Sequence, residues 1–460
     1  MTRSIKSTNV LKILILGCFL FSTTFSCDNE TVESAVIIDT DNDGIEESLD
    51  NCPSIANPDQ ADADSDGIGN LCDSDFINPN TPAAICENGF AGIYPCKDYD
   101  LMAHLPINTF GASEGNDSWG WTDPSTGNEY VLLATDTNVA FIDITEPTNP
   151  IYLGNVPTET VANSWRDVKV YKDHAFIVAD NVGAHGMQVF DLTRLRNVEN
   201  PPETFTTDAV YTGVGSCHNI VINEEEGFAY LVGCNTYSGG PNFVDITNPK
   251  DPVAAGGYSA NGYSHDAQVI TYNGPDTDYT GKQIYIGSNG STSGTNKVVI
   301  LDVSDKANPQ FISDITYSNS GYTHQGWFTE DQQYFILGDE LDEQFFGNNT
   351  KTLVFDFNDL DNPTLSSTYF GPTLAIDHNG YVKGNTYYLA NYRAGLRILD
   401  ITNIAASSNA MTEVGYFDTF PSNDGANFNG VWNVYPYFES GNIVISDIEG
   451  GLFIVRKSGT

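Results

Sequence analysis

Seven short apolar runs, six of them closing on Asp, recur through most of this chain and limit what it can fold into. They are VAFIDIT (139–145), MQVFDLT (187–193), NFVDIT (242–247), VVILDVS (298–304), TLVFDFN (352–358), LRILDIT (396–402) and GLFIVRK (451–457), the last with Arg456 where the others carry Asp. The spacing of the anchor residues, 44 to 57 positions, is that of propeller blades or solenoid repeats. Each run is too short for a helix and rich in Val, Ile and Phe, so it reads as a strand. A second β run precedes it (YVLLATD, HAFIVAD, YFILGDE), and a first run precedes that (DVKVY, NIVIN, AQVIT). After a Pro-containing turn comes a fourth (PIYLGNV, PVAAGGY, PQFISDI). The Asp-x-Thr/Ser pair can bond its own backbone and start that turn, which makes these aspartates structural. Four antiparallel strands per unit make a blade. The prediction is an all-β, seven-bladed β-propeller over residues 99–457. The seventh unit stops after three strands, and Tyr99–Pro106 has the pattern to supply its fourth, closing the ring and removing two sheet edges.

Upstream, residues 35–75 read AVIIDTDNDGIEESLDNCPSIANPDQADADSDGIGNLCDSD. Asp39, Asp41 and Asp43 alternate and are followed by Gly44; Asp62, Asp64 and Asp66 repeat this before Gly67. Alternating carboxylates gather oxygens around one point and the glycine allows the sharp turn of a Ca²⁺ loop. Counting from Asp39, Ile45 offers the position-7 carbonyl and Asp50 stands at position 12; counting from Asp62, these are Ile68 and Asp73. Asp instead of Glu at position 12, with Pro and Gly flanks, argues against an EF-hand. The wording DNCPSIANPDQADADSDGIGNLCD resembles a thrombospondin type 3 repeat, a calcium-wrapped and largely irregular module. That resemblance implies calcium ligation by Asp39, Asp41, Asp43, Asp50, Asp62, Asp64, Asp66 and Asp73, and a disulfide between Cys52 and Cys72.

The first residues read as an export signal. Arg3, Lys6 and Lys12 precede the apolar stretch 13–25, too short to span a bilayer comfortably. Cys27 follows it directly and is succeeded by an acidic tether, as at a bacterial lipoprotein cleavage site, although Thr24 replaces the usual Leu. Cys18 follows Lys12 too closely to leave an apolar core. Acidic residues after the lipid cysteine resemble the surface-export signals of some Gram-negative lipoproteins. An ordinary cleaved secretory signal is the alternative.

The full chain of 460 residues carries 19 Lys and Arg against 61 Asp and Glu, a formal charge of -42. Such a polyanion repels phosphate backbones, so nucleic acid is excluded as a partner. Beyond Cys18 and Cys27 the cysteines are Cys52, Cys72, Cys86, Cys96, Cys217 and Cys234. An even number in an exported chain suggests three disulfides, with neighbours in sequence the first choice of partner and the connectivity open. The expected organisation is a signal peptide (1–26), a tether (27–38), calcium-binding repeats (39–75), a linker with a cysteine loop (76–98) and the propeller (99–457).

The segments ENGFAGIYPC (87–96), SWRDVKVYKDHAFIV, HGMQVFDLTRLR, DELDEQ (339–344), NYRAGLRILDIT and NFNGVWNVYP resemble the choice-of-anchor B, or LVIVD-repeat, proteins. The resemblance implies this repeat domain and attachment to a cell surface, and carries no reaction with it.

Aligning the first strand of each unit brings His218, His265, His324 and His378 to one position, with Arg166 there in the second blade and Gly430 in the seventh. First strands line the channel, so the four imidazoles converge near one mouth, joined by Arg166, Asp167, Asp266, Gln325 and Asn379. Such a set can hold a transition metal, an anion with Arg166, or simply a network of inter-blade hydrogen bonds and water. His104, His174 and His185 read as structural. GASEG (111–115) matches a nucleophile elbow but lacks the strand-to-helix setting that motif needs. The carboxylates Asp339, Glu340, Asp342 and Glu343 read as an acidic loop or a further calcium site, and the tryptophans as packing between blades or a sugar-stacking face.

The chain thus reads as a cell-surface lipoprotein of the outer membrane, touching the membrane only through its lipid. A calcium-binding stalk presents a propeller that binds an extracellular protein or glycan as an adhesion or scaffold module. A metal-dependent surface enzyme using the channel histidines is the alternative; no catalytic residue emerges. The expected cofactors are calcium and, for the histidines, a transition metal.

Overall fold

The computed structural model describes residues 38–62, 67–73 and 81–460. The expected signal peptide, Cys27, the tether up to residue 37, and Asp64 and Asp66 lie outside the described residues. The chain divides into two compact units, 1–76 and 77–460.

The larger unit is the seven-bladed all-β propeller that the repeats predict. The inner strands, in order, are Gly115–Thr122, Arg166–Tyr171, Asn219–Asn223, Asp266–Thr271, Thr323–Phe328, Gly380–Lys383 and Val431–Tyr435. The apolar runs form the third strands, and the Asp closing six of them turns back on the backbone as expected. Asp143 accepts from Thr145 N, Asp245 from Thr247 N and Asp302 from Ser304 N, each at 2.9 Å; Asp356 and Asp400 do the same at 2.8 Å.

Residues of adjacent blades interlock through their apolar faces. Leu132 and Phe141 of blade one meet Val168, Ile177 and Phe190 of blade two, all fully buried, and Phe141 stacks on Phe190 at 4.6 Å. Each such side chain contributes about 1.5–3 kcal/mol on burial. Blade two departs from the pattern. Its fourth strand, Ala209–Tyr211, follows an insertion whose Glu203–Thr204 pairs parallel with Ile151–Pro157 of blade one. Gly154 lies at that seam with φ of 144°, where a Cβ would sit 2.0 Å from the Glu203 carbonyl oxygen, so no larger residue fits.

Tyr99–Leu105 pairs antiparallel with Gly451–Lys457, Tyr99 opposite Lys457 and Leu105 opposite Leu452. Blade seven is therefore completed from both ends of the domain. The stretch expected as a linker is partly propeller. Phe90–Ala91 and Tyr94–Lys97 form a hairpin that adds to the fourth strand of blade six, Cys96 facing Phe417. The Cys86–Cys96 disulfide closes this hairpin, because the apolar Ala91 and Cys96 pack into the blade six–seven core instead of facing solvent. Cys217–Cys234 is buried within blade three.

In the small unit the glycines that close the two acidic runs adopt the same conformation. Gly44 and Gly67 have φ of 97° and 93°, and their amides are accepted by Asp39 and Asp62, each at 3.0 Å. Asp43 reaches across to Asn57 N at 2.8 Å. The Cys52–Cys72 disulfide, with Cys52 buried, ties the described residues of this unit together. The Asp39, Asp41 and Asp43 carboxylates lie close enough to share one ion. Asp41 Oδ2 and Asp62 Oδ1 are buried without a hydrogen bond among the described residues. Burial, then the charges of Asp43, Asp50 and Asp39, push the Asp41 carboxyl up. Oxygens so placed fit a hard cation.

Candidate functional site at the channel mouth

The four aligned histidines line one cavity of about 510 Å³ at a mouth of the channel. Their rings follow one another around the wall: His218 to His265 at 4.3 Å, His265 to His324 at 4.2 Å, His324 to His378 at 4.2 Å. The repeat explains the arc, since each histidine is the residue at the head of one inner strand. A backbone carbonyl of the next blade fixes two of the rings. His265 Nδ1 donates to His324 O at 3.1 Å and His378 Nδ1 to Trp432 O at 2.5 Å. A carbonyl only accepts, so both Nδ1 atoms carry the proton and both Nε2 atoms present a lone pair. His218 instead pairs its Nδ1 with Asp180 Oδ2 at 3.1 Å.

Burial pushes His265 and His324 well below the ordinary value and His378 down to about 3. Those three rings are therefore held neutral near pH 7. Burial lifts Glu340 to about 7, against the opposing hydrogen bond from Tyr392.

The set that can share one ion is His324, Glu340 and His378. His324 Nε2 lies 3.7 Å from one oxygen of Glu340 and His378 Nε2 3.6 Å from the other. Tyr392 donates to Glu340 at 2.8 Å. His218 and His265 line the same cavity outside this set. The remaining acidic residues expected with Glu340 diverge from it. Asp339 accepts from Gly321 N, Tyr322 N and Tyr317, Asp342 pairs with Lys351, and Glu343 accepts from Lys351 N at 3.0 Å. They are buried ties around the short helix Asp342–Phe346, not a solvated loop, because each meets a backbone amide or Lys351.

Two of the aligned positions differ from expectation. Arg166 precedes Asp167 as His265 precedes Asp266, but its side chain turns between blades. It donates to Thr135 O at 3.1 Å and lies 3.2 Å from His185 Nε2, out of the cavity lining. An anion in the cavity therefore lacks its expected cation. In blade seven the position falls on Trp432, whose carbonyl serves His378, and not on Gly430, because Asn433 follows as the polar member.

That polar member forms a second ring, one residue deeper. Asp167 accepts from Ile220 N at 2.7 Å, Gln325 from Gly380 N at 3.0 Å, and Asn219 and Asn433 donate to His265 O and Ser118 O. These bonds sew each blade to a neighbour. Asp117 belongs here too. Lys169 reaches the buried Asp117 at 2.9 Å and the buried Asp167 at 2.5 Å, is itself largely buried, and lies 4.6 Å over the Trp119 ring. Burial and the Asp167 charge hold Asp117 well above the carboxylate range. Burial also opposes the Asp167 charge, but Lys169 and Asp117 overcome it and keep that carboxyl low.

Asp266, in the same ring, is pushed from 3.8 to about 7 by burial and then by Asp167. A carboxyl raised on folding gives stability that is complete below the unfolded value and is lost as pH rises toward the folded one. At 1.36 kcal/mol per pH unit the loss is at most about 4 kcal/mol, reduced by water in the channel. Asp266→Asn should therefore raise the urea midpoint at pH 8 and leave it nearly unchanged at pH 4. An equal effect at both pH values would contradict this.

Residues 38–60 match the thrombospondin type 3 repeat, and residues 281–316 and 381–419 match the LVIVD repeat. No curated protein matches the chain. Among solved structures it is similar to the β-propeller domain of Myceliophteria thermophila Cps50 (Swd1), at 10% identity over 78% of this chain and 98% of that one, with a TM-score of 0.49. It is also similar to the periplasmic gluconolactonase of Pseudomonas aeruginosa, at 10% identity, 67% and 86% coverage and a TM-score of 0.46. A hypothetical selenium-binding protein from Sulfolobus tokodaii aligns at 10% identity, 65% and 80% coverage and a TM-score of 0.43.

Proposed function

Taking as premise an LVIVD-repeat propeller preceded by a thrombospondin type 3 repeat, we propose that this chain is a cell-surface lipoprotein of the outer membrane. In this reading Cys27 carries the lipid, the calcium-loaded segment is a stalk, and the propeller is a binding module for an extracellular glycan or protein. The observation that carries it is the rim of the histidine cavity. Trp165 and Phe428 line that cavity and are each 40% exposed, beside Asp180 and Asn181. Exposed aromatic faces among polar groups suit sugar rings or aromatic peptide side chains. A panel of glycans and surface proteins tests the reading. Trp165→Ala with Phe428→Ala should weaken a captured ligand at least about tenfold, since each lost aromatic contact is worth about 1 kcal/mol or more. Unchanged affinity in the double variant would reject the mouth as the site.

The location has its own test. Cys27→Ser should move the protein from the membrane fraction to the soluble one, because the lipid is the sole anchor in this reading. Membrane attachment that survives the substitution would remove the lipoprotein assignment and leave the propeller's binding role standing.

A further inference from the structure

We propose that His324, His378 and Glu340 hold one divalent first-row transition-metal ion at the floor of the channel-mouth cavity. The argument starts from a mismatch. The Trp432 carbonyl fixes the proton of His378 on Nδ1, so the lone pair of Nε2 faces a carboxylate oxygen of Glu340 at 3.6 Å. The other oxygen stands 3.7 Å from His324 Nε2. Such facing acceptors in a buried site call for a proton or a cation between them, and 3.6–3.7 Å is too long for a hydrogen bond but leaves room for an ion. The spacing suits an ion. Two donors at about 2.1 Å from a common centre at a tetrahedral angle are about 3.4 Å apart.

The surroundings hold the donors in place. A carbonyl-bound Nδ1–H on His378 is the outer-shell contact that orients a metal-bound imidazole. Tyr392 does the same for Glu340 through its hydroxyl at 2.8 Å. Tyr392 is buried with φ of 26°, a strained conformation for a non-glycine residue that gathers at functional sites. Two imidazoles and one carboxylate form a borderline donor set, suited to Zn²⁺, Fe²⁺, Mn²⁺ or Co²⁺ and unlike the all-oxygen calcium loops. Three protein donors leave further positions turned toward the cavity. The ion would there meet whatever small donor molecule enters beside His265 and His218. This inference is independent of glycan or protein capture at the rim.

The test uses the purified full chain, stripped with chelator and reloaded with excess Ca²⁺ so that the oxygen-rich loops stay filled. Titration with Co²⁺ should give one saturable equivalent with the visible absorption of a nitrogen-ligated ion, and should raise the melting temperature of the propeller. His324→Ala, His378→Ala and Glu340→Gln should each weaken Co²⁺ about 100-fold or more. Tyr392→Phe, which removes an outer-shell partner, should cost about tenfold. His174→Ala, remote from the cavity, should change nothing. Glu340→Gln keeps the shape of the side chain, so its metal-free melting point reports whether loss of binding is separate from loss of fold. Absence of saturable Co²⁺ binding by the calcium-loaded chain overturns the proposal. So does binding that none of the three ligand variants weakens.

Discussion

Lys169→Met should destabilise the propeller by about 3–5 kcal/mol, the cost of leaving a buried charge without its partner. Among the described residues Lys169 is the only cation bonded to Asp117 and Asp167, and Asp167 is also the acceptor for Ile220 N in blade three. One ammonium thus neutralises a site that joins three blades. The methionine keeps most of the volume and its contact with Trp119, so packing loss is small. Urea unfolding of the variant should show a lower midpoint with an unchanged slope. Adding Asp117→Asn and Asp167→Asn to Lys169→Met should recover most of the loss, because an amide oxygen still accepts from the backbone without a charge to bury. A single-variant loss below about 1 kcal/mol, or no recovery in the triple variant, would show that solvent already screens these groups.

Calcium removal should abolish the structure of the small unit while the propeller stays folded. Clustered carboxylates repel at short range, and the described residues there bury little beyond Cys52 and Asn57. Folding of such a segment is coupled to its ions. The disulfide Cys52–Cys72 limits how far the chain opens but supplies no turn geometry. Hydrogen exchange with and without chelator should show protection lost at Gly44, Ile45, Asn57 and Gly67, whose amides are bonded to Asp39, Asp43 and Asp62. The inner strands of the propeller should exchange equally slowly in both states. Equal protection of the small unit in both conditions would sink the idea.

How much of this was legible depended on distance along the chain. The third strands and their Asp-x-Thr turns are local, and the backbone does there what the residues dictate. The closing strand at Tyr99 was legible because the seventh unit visibly lacked one and the pattern of YDLMAHL supplied it. The histidine arc followed from register, since a repeat that fixes one channel-facing position fixes all of them. Register does not fix rotamers. Arg166 occupies the same place and turns away, because Thr135 O and His185 offer partners between blades that the cavity does not. Glu340 reaches the histidines from the end of a second strand, and nothing in DELDE marks which carboxylate faces the channel. Asp117 had a signal that went unread: Asn116-Asp117-Ser118-Trp119 has the spacing of His324-Gln325-Gly326-Trp327. The hairpin on blade six was hidden by its cysteines, which suggest a loop as readily as a strand.

That hairpin alters how the domain would carry tension. A pull on the chain upstream of Ala84 reaches the ring-closing strand first through a single bridge and then runs into a covalent clasp. It meets the bridge between Ala84 and Leu101, then the loop clasped by Cys86 and Cys96, whose second strand is zipped onto blade six through Cys96 and Lys97. Only beyond that, along the chain, begins the pairing of Tyr99–Leu105 with Gly451–Lys457, the seam whose peeling would open the ring. Tugging is thus shared between two blades and a covalent link, much as a strain-relief collar spares the joint of a cable, and a propeller held in flow by its leading end would keep its circle shut.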